Sequence, residues 1–197
     1  MKILKNVIVS ILILFFLTNS SWSKNASEFI SSLTDDASKV LSSKLSDDEK
    51  IVRLKEIGEK SVDIEGVGFY TLGKYRKTLT DSQKDKYKEL FKNYFLKSFS
   101  GRLVGYTDAK ITVLSEEVKN EKYTIVFSKL IGTSDRPEVK IDWRVYTKDP
   151  ENPLIRDLVI EGLSLARTQK EEFNSIIANN DGSIEALFDN LNKFLEN

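Results

Sequence analysis

An α+β fold, with a four- or five-stranded twisted antiparallel sheet packed against helices, is what this chain predicts. Apolar residues recur at helical spacing in the first half and again at the end, and between those parts the spacing switches to strict alternation. Helix-capping signatures punctuate both helical parts, and neither a repeat nor a low-complexity segment interrupts the order helices, sheet, helices.

The chain opens on MKILKN, an apolar run at residues 7–17, then TNSSWS. A basic start, a short apolar core and small residues at Ser21 and Ser23 are the parts of a secretory signal peptide, with cleavage expected after Ser23. The run is shorter than the roughly 20 residues a membrane span needs. With no Cys to carry a lipid anchor, the expectation is an exported, unanchored single domain over residues 24–197.

Residues 27–45 place Phe29, Ile30, Leu33, Ala37, Val40 and Leu41 at the spacing of an amphipathic helix. Ser46 with Glu49 forms a capping box before Ile51, Leu54 and Ile57, and Gly58 marks the expected end of that helix. Two glycines break residues 61–68 into a turn or a short helix. Thr80 with Gln83 opens the longest helix, whose apolar positions Tyr87, Leu90, Phe91, Tyr94, Phe95, Phe99 and Leu103 make an almost wholly aromatic face. Gly101 and Gly105 mark its stop.

Alternation then takes over. Ile111 and Val113 begin a strand, residues 116–122 turn the chain, and Tyr123, Ile125 and Phe127 share a strand face. After a loop at residues 132–137, Val139, Ile141, Trp143 and Val145 alternate with Lys140, Asp142, Arg144 and Tyr146; Leu158 and Ile160 belong to a further strand. Thr168 with Glu171 reads as a capping box, the run at 179–182 as a stop, and Ser183 as the cap of a last amphipathic helix.

Composition excludes several functions. Lys2 and Lys5 leave with the signal, so the balanced 30 basic and 30 acidic residues become 28 against 30, without the basic surface that a nucleic-acid partner demands. Zero Cys in an exported chain leaves stability to the hydrophobic core. Zero His removes the commonest general base and transition-metal ligand, so the expectation is no enzyme, no cofactor and no metal. The aromatic helix face has two readings: an ordinary core contact with the sheet, or, because rigid rings fill space poorly unless small side chains oppose them, one wall of an apolar pocket.

Two stretches carry a resemblance. LGKYRKTLTDSQKDKYKELFKNYF is similar to the motif of the MlaC, or toluene-tolerance, family: a Leu-Gly-basic-Tyr-aromatic-basic run, a Thr-x-x-Gln helix start and an aromatic helix. RDLVIEGLSLARTQKEEFNSII resembles the same family's Asp-x-x-x-Glu-Gly-Val-Ser element and its following helix. Arg76 follows Tyr75 directly where the family has a second aromatic, and Pro153 stands where a Trp is frequent. The resemblance implies an NTF2-like cone with an apolar pocket between sheet and helices, and a periplasmic carrier moving phospholipid between inner-membrane ABC-type and outer-membrane lipoprotein complexes. The protein itself is expected to be monomeric.

Residues expected to line such a pocket are Phe69, Leu72 and Tyr75, then Phe91, Phe95, Phe99 and Tyr106. The strands add Ile125, Phe127, Ile141, Trp143, Val145, Ile160 and Leu163. Core packing is the competing reading for each. Arg76 and Arg144 suit a phosphate at the rim because the guanidinium fork matches its oxygens, against the plainer reading of solvated or Asp-paired side chains. Two other functions stay open: an enzyme using Asp157 or Asp142 as base with Tyr75 polarising a carbonyl, and a chaperone for apolar segments.

Overall fold

The computed structural model describes residues 25–107, 110–132 and 137–197; the expected leader at 1–23 and part of the loop at 132–137 lie outside the described residues. The first helix, α1 (Ala26–Leu41), starts at Asn25, whose side chain accepts the Glu28 N–H. In α2 (Asp47–Ser61) both reciprocal bonds of the Ser46–Glu49 box are made, and the helix continues past Gly58. Residues 61–68 contain the start of a further helix, α3 (Ile64–Thr71), capped by Asp63 through the Gly66 N–H. Gly73 follows at φ +57°, a left-handed position that favours glycine, and a single 3-10 turn spans Tyr75–Lys77. The Thr80–Gln83 box then opens α4 (Asp81–Leu103).

Five strands make one open antiparallel sheet in sequence order: β1 (Ile111–Asn120), β2 (Tyr123–Leu130), β3 (Val139–Tyr146), β4 (Leu154–Ile160) and β5 (Leu163–Ser164). The first hairpin is tighter than its charged sequence suggested, since β1 runs on to Asn120 and only Glu121 and Lys122 turn the chain. The Asn120 side chain accepts the Lys122 N–H at 2.9 Å, which holds that turn locally. Two register shifts bend β1, an edge strand whose residues from Leu114 onward are exposed. Positive φ at both Glu161 and Gly162 makes the β4–β5 hairpin a two-residue turn.

Two helices close the chain, α5 (Leu165–Ala178) and α6 (Ile184–Glu196). The cap of α5 is Ser164 rather than Thr168; Thr168 sits a turn inside and donates to the Ser164 carbonyl at 3.0 Å. A second difference is larger. The aromatic face of α4 packs on helices, not on the sheet: Tyr87 lies against Phe188 of α6, Phe91 meets Phe173 of α5 edge-on at 6.3 Å, and Tyr94 contacts Phe173 and Phe194. Glycines oppose those rings. A Cβ on Gly68 would lie 2.7 Å from the Phe91 ring, and one on Gly58 3.1 Å from Phe99.

The interior therefore has two apolar clusters. One is built from α3, α4, α5 and α6 around Leu72, Tyr87, Phe91, Phe173, Leu187 and Phe188. The other joins Ala26 and Ile30 of α1 to Val126, Ile141, Trp143, Val145 and Ile155 of the sheet. Val62, which pairs with Ile155 beside β4, packs against both.

Candidate functional site

Strand register decides which side chains can meet inside. Residues directly opposite in antiparallel strands point to the same face. Val126 lies opposite Trp143, Ser128 opposite Ile141 and Thr124 opposite Val145, so the inner face of β2 is Thr124, Val126 and Ser128. Ile125 faces Arg144 across the ladder and Phe127 faces Asp142. The expectation that Tyr123, Ile125 and Phe127 share a face with Ile141, Trp143 and Val145 is thus corrected: they lie on the opposite side, half-buried. The cause is space and pairing, since the bulk of Trp143 sits beside small Ser128, whose hydroxyl accepts the indole N–H at 2.8 Å and donates to the Ile141 carbonyl at 3.0 Å.

The other expected lining residues fall into distinct places. Leu72 and Phe91 are buried in the helical cluster, with Tyr75 and Phe95 packed against it. Phe69 also packs there and is covered by the Lys88 ammonium, 5.6 Å above its ring. Phe95 and Phe99 stack nearly parallel at 5.7 Å and stay half-buried along the α2–α4 contact. Ile141, Trp143 and Val145 are buried under α1, and Ile160, opposite Ile141, is half-buried on the same inner face. Leu163 at 59% and Tyr106 at 41% exposure face outward. Phe29 and Leu33 of α1, which sequence periodicity placed on a helix but not over the sheet, complete the sheet cluster.

Of the two rim arginines, Arg76 is exposed in the 3-10 turn, and Arg144 pairs with Asp157 at 3.2 Å. Asp157 is the buried member of that pair; it also accepts the Ser164 hydroxyl at 2.6 Å and the Ala166 N–H at 3.0 Å. Its oxygens thus tie β3, β4 and the first turn of α5, where a carboxylate also complements the helix dipole. An ion pair missed in the sequence joins Arg156 of β4 to Asp63 at 2.6 Å, with the Tyr123 hydroxyl at 2.5 Å and the Tyr146 ring 3.8 Å beneath the guanidinium. Burial pulls Arg156 down, but its bonds to Tyr123 and Asp63 outweigh this and hold it above its ordinary value. The one sequence signal was Asp63 itself, three residues before Gly66.

In the helical cluster, Tyr87, Thr71 and the Gly68 carbonyl form a buried polar triad, with 2.7 Å between the two hydroxyls. Burial pushes the Tyr87 phenol well above its usual range, and burial first, then Glu172, raises Tyr94. A separate groove of about 730 Å³ runs between α2, α4 and the end of α6, with Ile51, Leu96, Phe194 and Leu195 along it and Lys55, Lys97 and Arg102 at its sides. Among the described residues no three His, Cys, Asp or Glu side chains come together to hold a metal, and no helix is long and apolar enough to cross a membrane.

The surfaces brought together here are thus largely apolar, with few directed polar groups. The model of the MlaC protein family matches residues 24–193. The fold is similar to that of a phospholipid-binding protein from Ralstonia solanacearum, solved in complex with a phospholipid. The TM-score is 0.72 at 18% identity, covering 87% of this chain and 97% of that one.

Proposed function

The chain belongs to the MlaC family, and from that premise we propose that it is a periplasmic carrier that shields phospholipid acyl chains. Family membership over nearly the whole length is the observation that carries the reading, and the phospholipid held by a protein of the same fold supports it. Residues 24–197 act as one lipid-binding domain, exported by the leader at 1–23. Cargo passes between an inner-membrane ABC-type complex and an outer-membrane lipoprotein complex, with the carrier working as a monomer and without catalysis.

Elementary energetics sets the task. At roughly 0.8 kcal/mol per CH₂, two acyl chains in water cost on the order of 20 kcal/mol. A carrier must replace the membrane interior with side chains of its own. Each cluster offers large apolar groups for this: Phe95 and Phe99 of α4 beside the helical one, and Leu158, Ile160, Phe29 and Leu33 around the one on the sheet. Several of these large apolar groups are half-buried. Asp157, the best candidate for a base, is spent on Arg144, Ser164 and the α5 N-terminus, which favours binding over catalysis.

Mass spectrometry of organic extracts from protein purified without detergent tests the reading. About one phospholipid per protein is expected, and extracts free of lipid would refute it. A variant in this apolar surface tests it further: Phe99→Glu should cut bound lipid more than about ten-fold, since an unpaired charge in an apolar path costs several kcal/mol.

A further inference from the structure

We propose that the surface formed by the 3-10 turn and the middle of α5 is a docking patch for a membrane bearing anionic headgroups. Lys74, Arg76 and Lys77 are exposed within four residues of one turn, and Lys170 of α5 joins them: a Cβ on Gly73 would lie 3.0 Å from the Lys170 Cε. Two tyrosines interleave with these cations. The Lys74 ammonium lies 5.1 Å from the Tyr75 ring centre, and Lys170 lies 5.1 Å from that of Tyr70, which is 42% exposed.

Charge pairing separates this patch from the neighbouring surface. Along α4, Lys84, Lys86, Lys88 and Lys92 each meet a carboxylate, from Asp81, Glu185, Glu65 and Glu59 in turn. Among the described residues, Lys74, Arg76, Lys77 and Lys170 enter no ion pair. Acids on the elements that build the patch are engaged elsewhere: Glu65 with Lys88, Glu171 with Arg167 and Glu172 with Gln169. Four uncompensated cations with amphipathic rings between them match a headgroup layer, where tyrosine settles at the interface and each basic residue adds attraction. Gly73 at φ +57° lets the turn fold tightly onto Asn174, which holds the cations on a fixed platform.

This deepens the carrier reading by giving the protein a way to rest on a lipid surface, yet it is measured independently of cargo. Flotation with vesicles that are one-third phosphatidylglycerol in phosphatidylcholine, at low salt, should carry the protein up; pure phosphatidylcholine vesicles, or about 0.5 M salt, should not. The triple variant Lys74→Gln/Arg76→Gln/Lys77→Gln, its fold checked by circular dichroism, should bind about 100-fold more weakly, from roughly five-fold per cation. Tyr70→Ala should weaken binding further at unchanged charge. Indifference of the wild type to anionic vesicles, or undiminished binding by the triple variant, would overturn the proposal. So would capture of polyglutamate, but not vesicles, through these residues, which would assign the patch to an acidic protein instead. Phospholipid in extracts of a protein that ignores vesicles would sink the docking patch alone; vesicle binding by a lipid-free protein would sink the carrier alone.

Discussion

Removing either partner of the Arg144–Asp157 pair should have very unequal effects, because the two side chains sit in different media. Asp157 is 7% exposed as a side chain and Arg144 51%. Truncating Arg144 to alanine loses a screened contact whose basic end already meets water, worth less than about 1 kcal/mol. Truncating Asp157 strands the Ala166 N–H, a buried donor whose unmet demand costs about 1–3 kcal/mol, and also releases the Ser164 hydroxyl. The sum for Asp157→Ala is about 2–4 kcal/mol, or a fall in Tm of roughly 5–15 °C for a chain of this size. Asp157→Asn keeps an acceptor for the Ala166 N–H and should cost about 1 kcal/mol. Thermal melts followed by circular dichroism, with urea titrations in parallel, measure all three. Arg144→Ala proving as harmful as Asp157→Ala would refute the reasoning, because the carboxylate would then matter as an ion-pair partner and not as the acceptor for the Ala166 N–H.

Three further outcomes follow from the geometry. Gly68→Ala gains helix propensity but drives a methyl to 2.7 Å from the buried Phe91 ring, so calorimetry should find it about 1–2 kcal/mol less stable. The Glu49 carboxyl is held below its usual range, first by the Ser46 hydroxyl and then by the Ser46 N–H. Its contribution is therefore complete above the ordinary carboxylate pKa of about 4.3 and drains away as the pH falls below it; Glu49→Gln should flatten that part of an acid denaturation curve. The opposite sign holds for Tyr87, whose raised phenol makes its contribution complete below about pH 10 and lost as the pH climbs through the folded value. Absorbance titration near 295 nm should show this tyrosine ionising only with unfolding, and Tyr87→Phe should remove the step.

Local signals were the most legible part of the chain. The boxes at Ser46–Glu49 and Thr80–Gln83 close as read, because a cap needs only residues three apart. Gly73 and Gly162, one in each of the two motif stretches, both have positive φ. What meets what was harder to read. The aromatic face of α4 looked like a surface for the sheet, but its complement is glycine on α2 and α3 together with rings on α5 and α6, and a period in one helix does not name its partner. Both phases of β2 could have been buried: Tyr123, Ile125 and Phe127 form the greasier set, yet Thr124, Val126 and Ser128 face the core. Hydrophobicity misled there because Trp143 needed a small hydroxyl-bearing neighbour more than another ring. Thr168 had the composition of a cap but lost the place to Ser164, which Asp157 already held.

One consequence of β1 concerns what the sheet refuses. Its outer rim is a row of backbone donors and acceptors, the kind of template on which identical chains stack into fibrils. Kinks after Val113 and Val118 break the row into segments too short and too bent for a straight strand to follow. Glu116, Glu117 and Lys119 add charges that an incoming copy would have to bury. A protein left with an open sheet can in this way stay dispersed when crowded, without closing the sheet into a barrel.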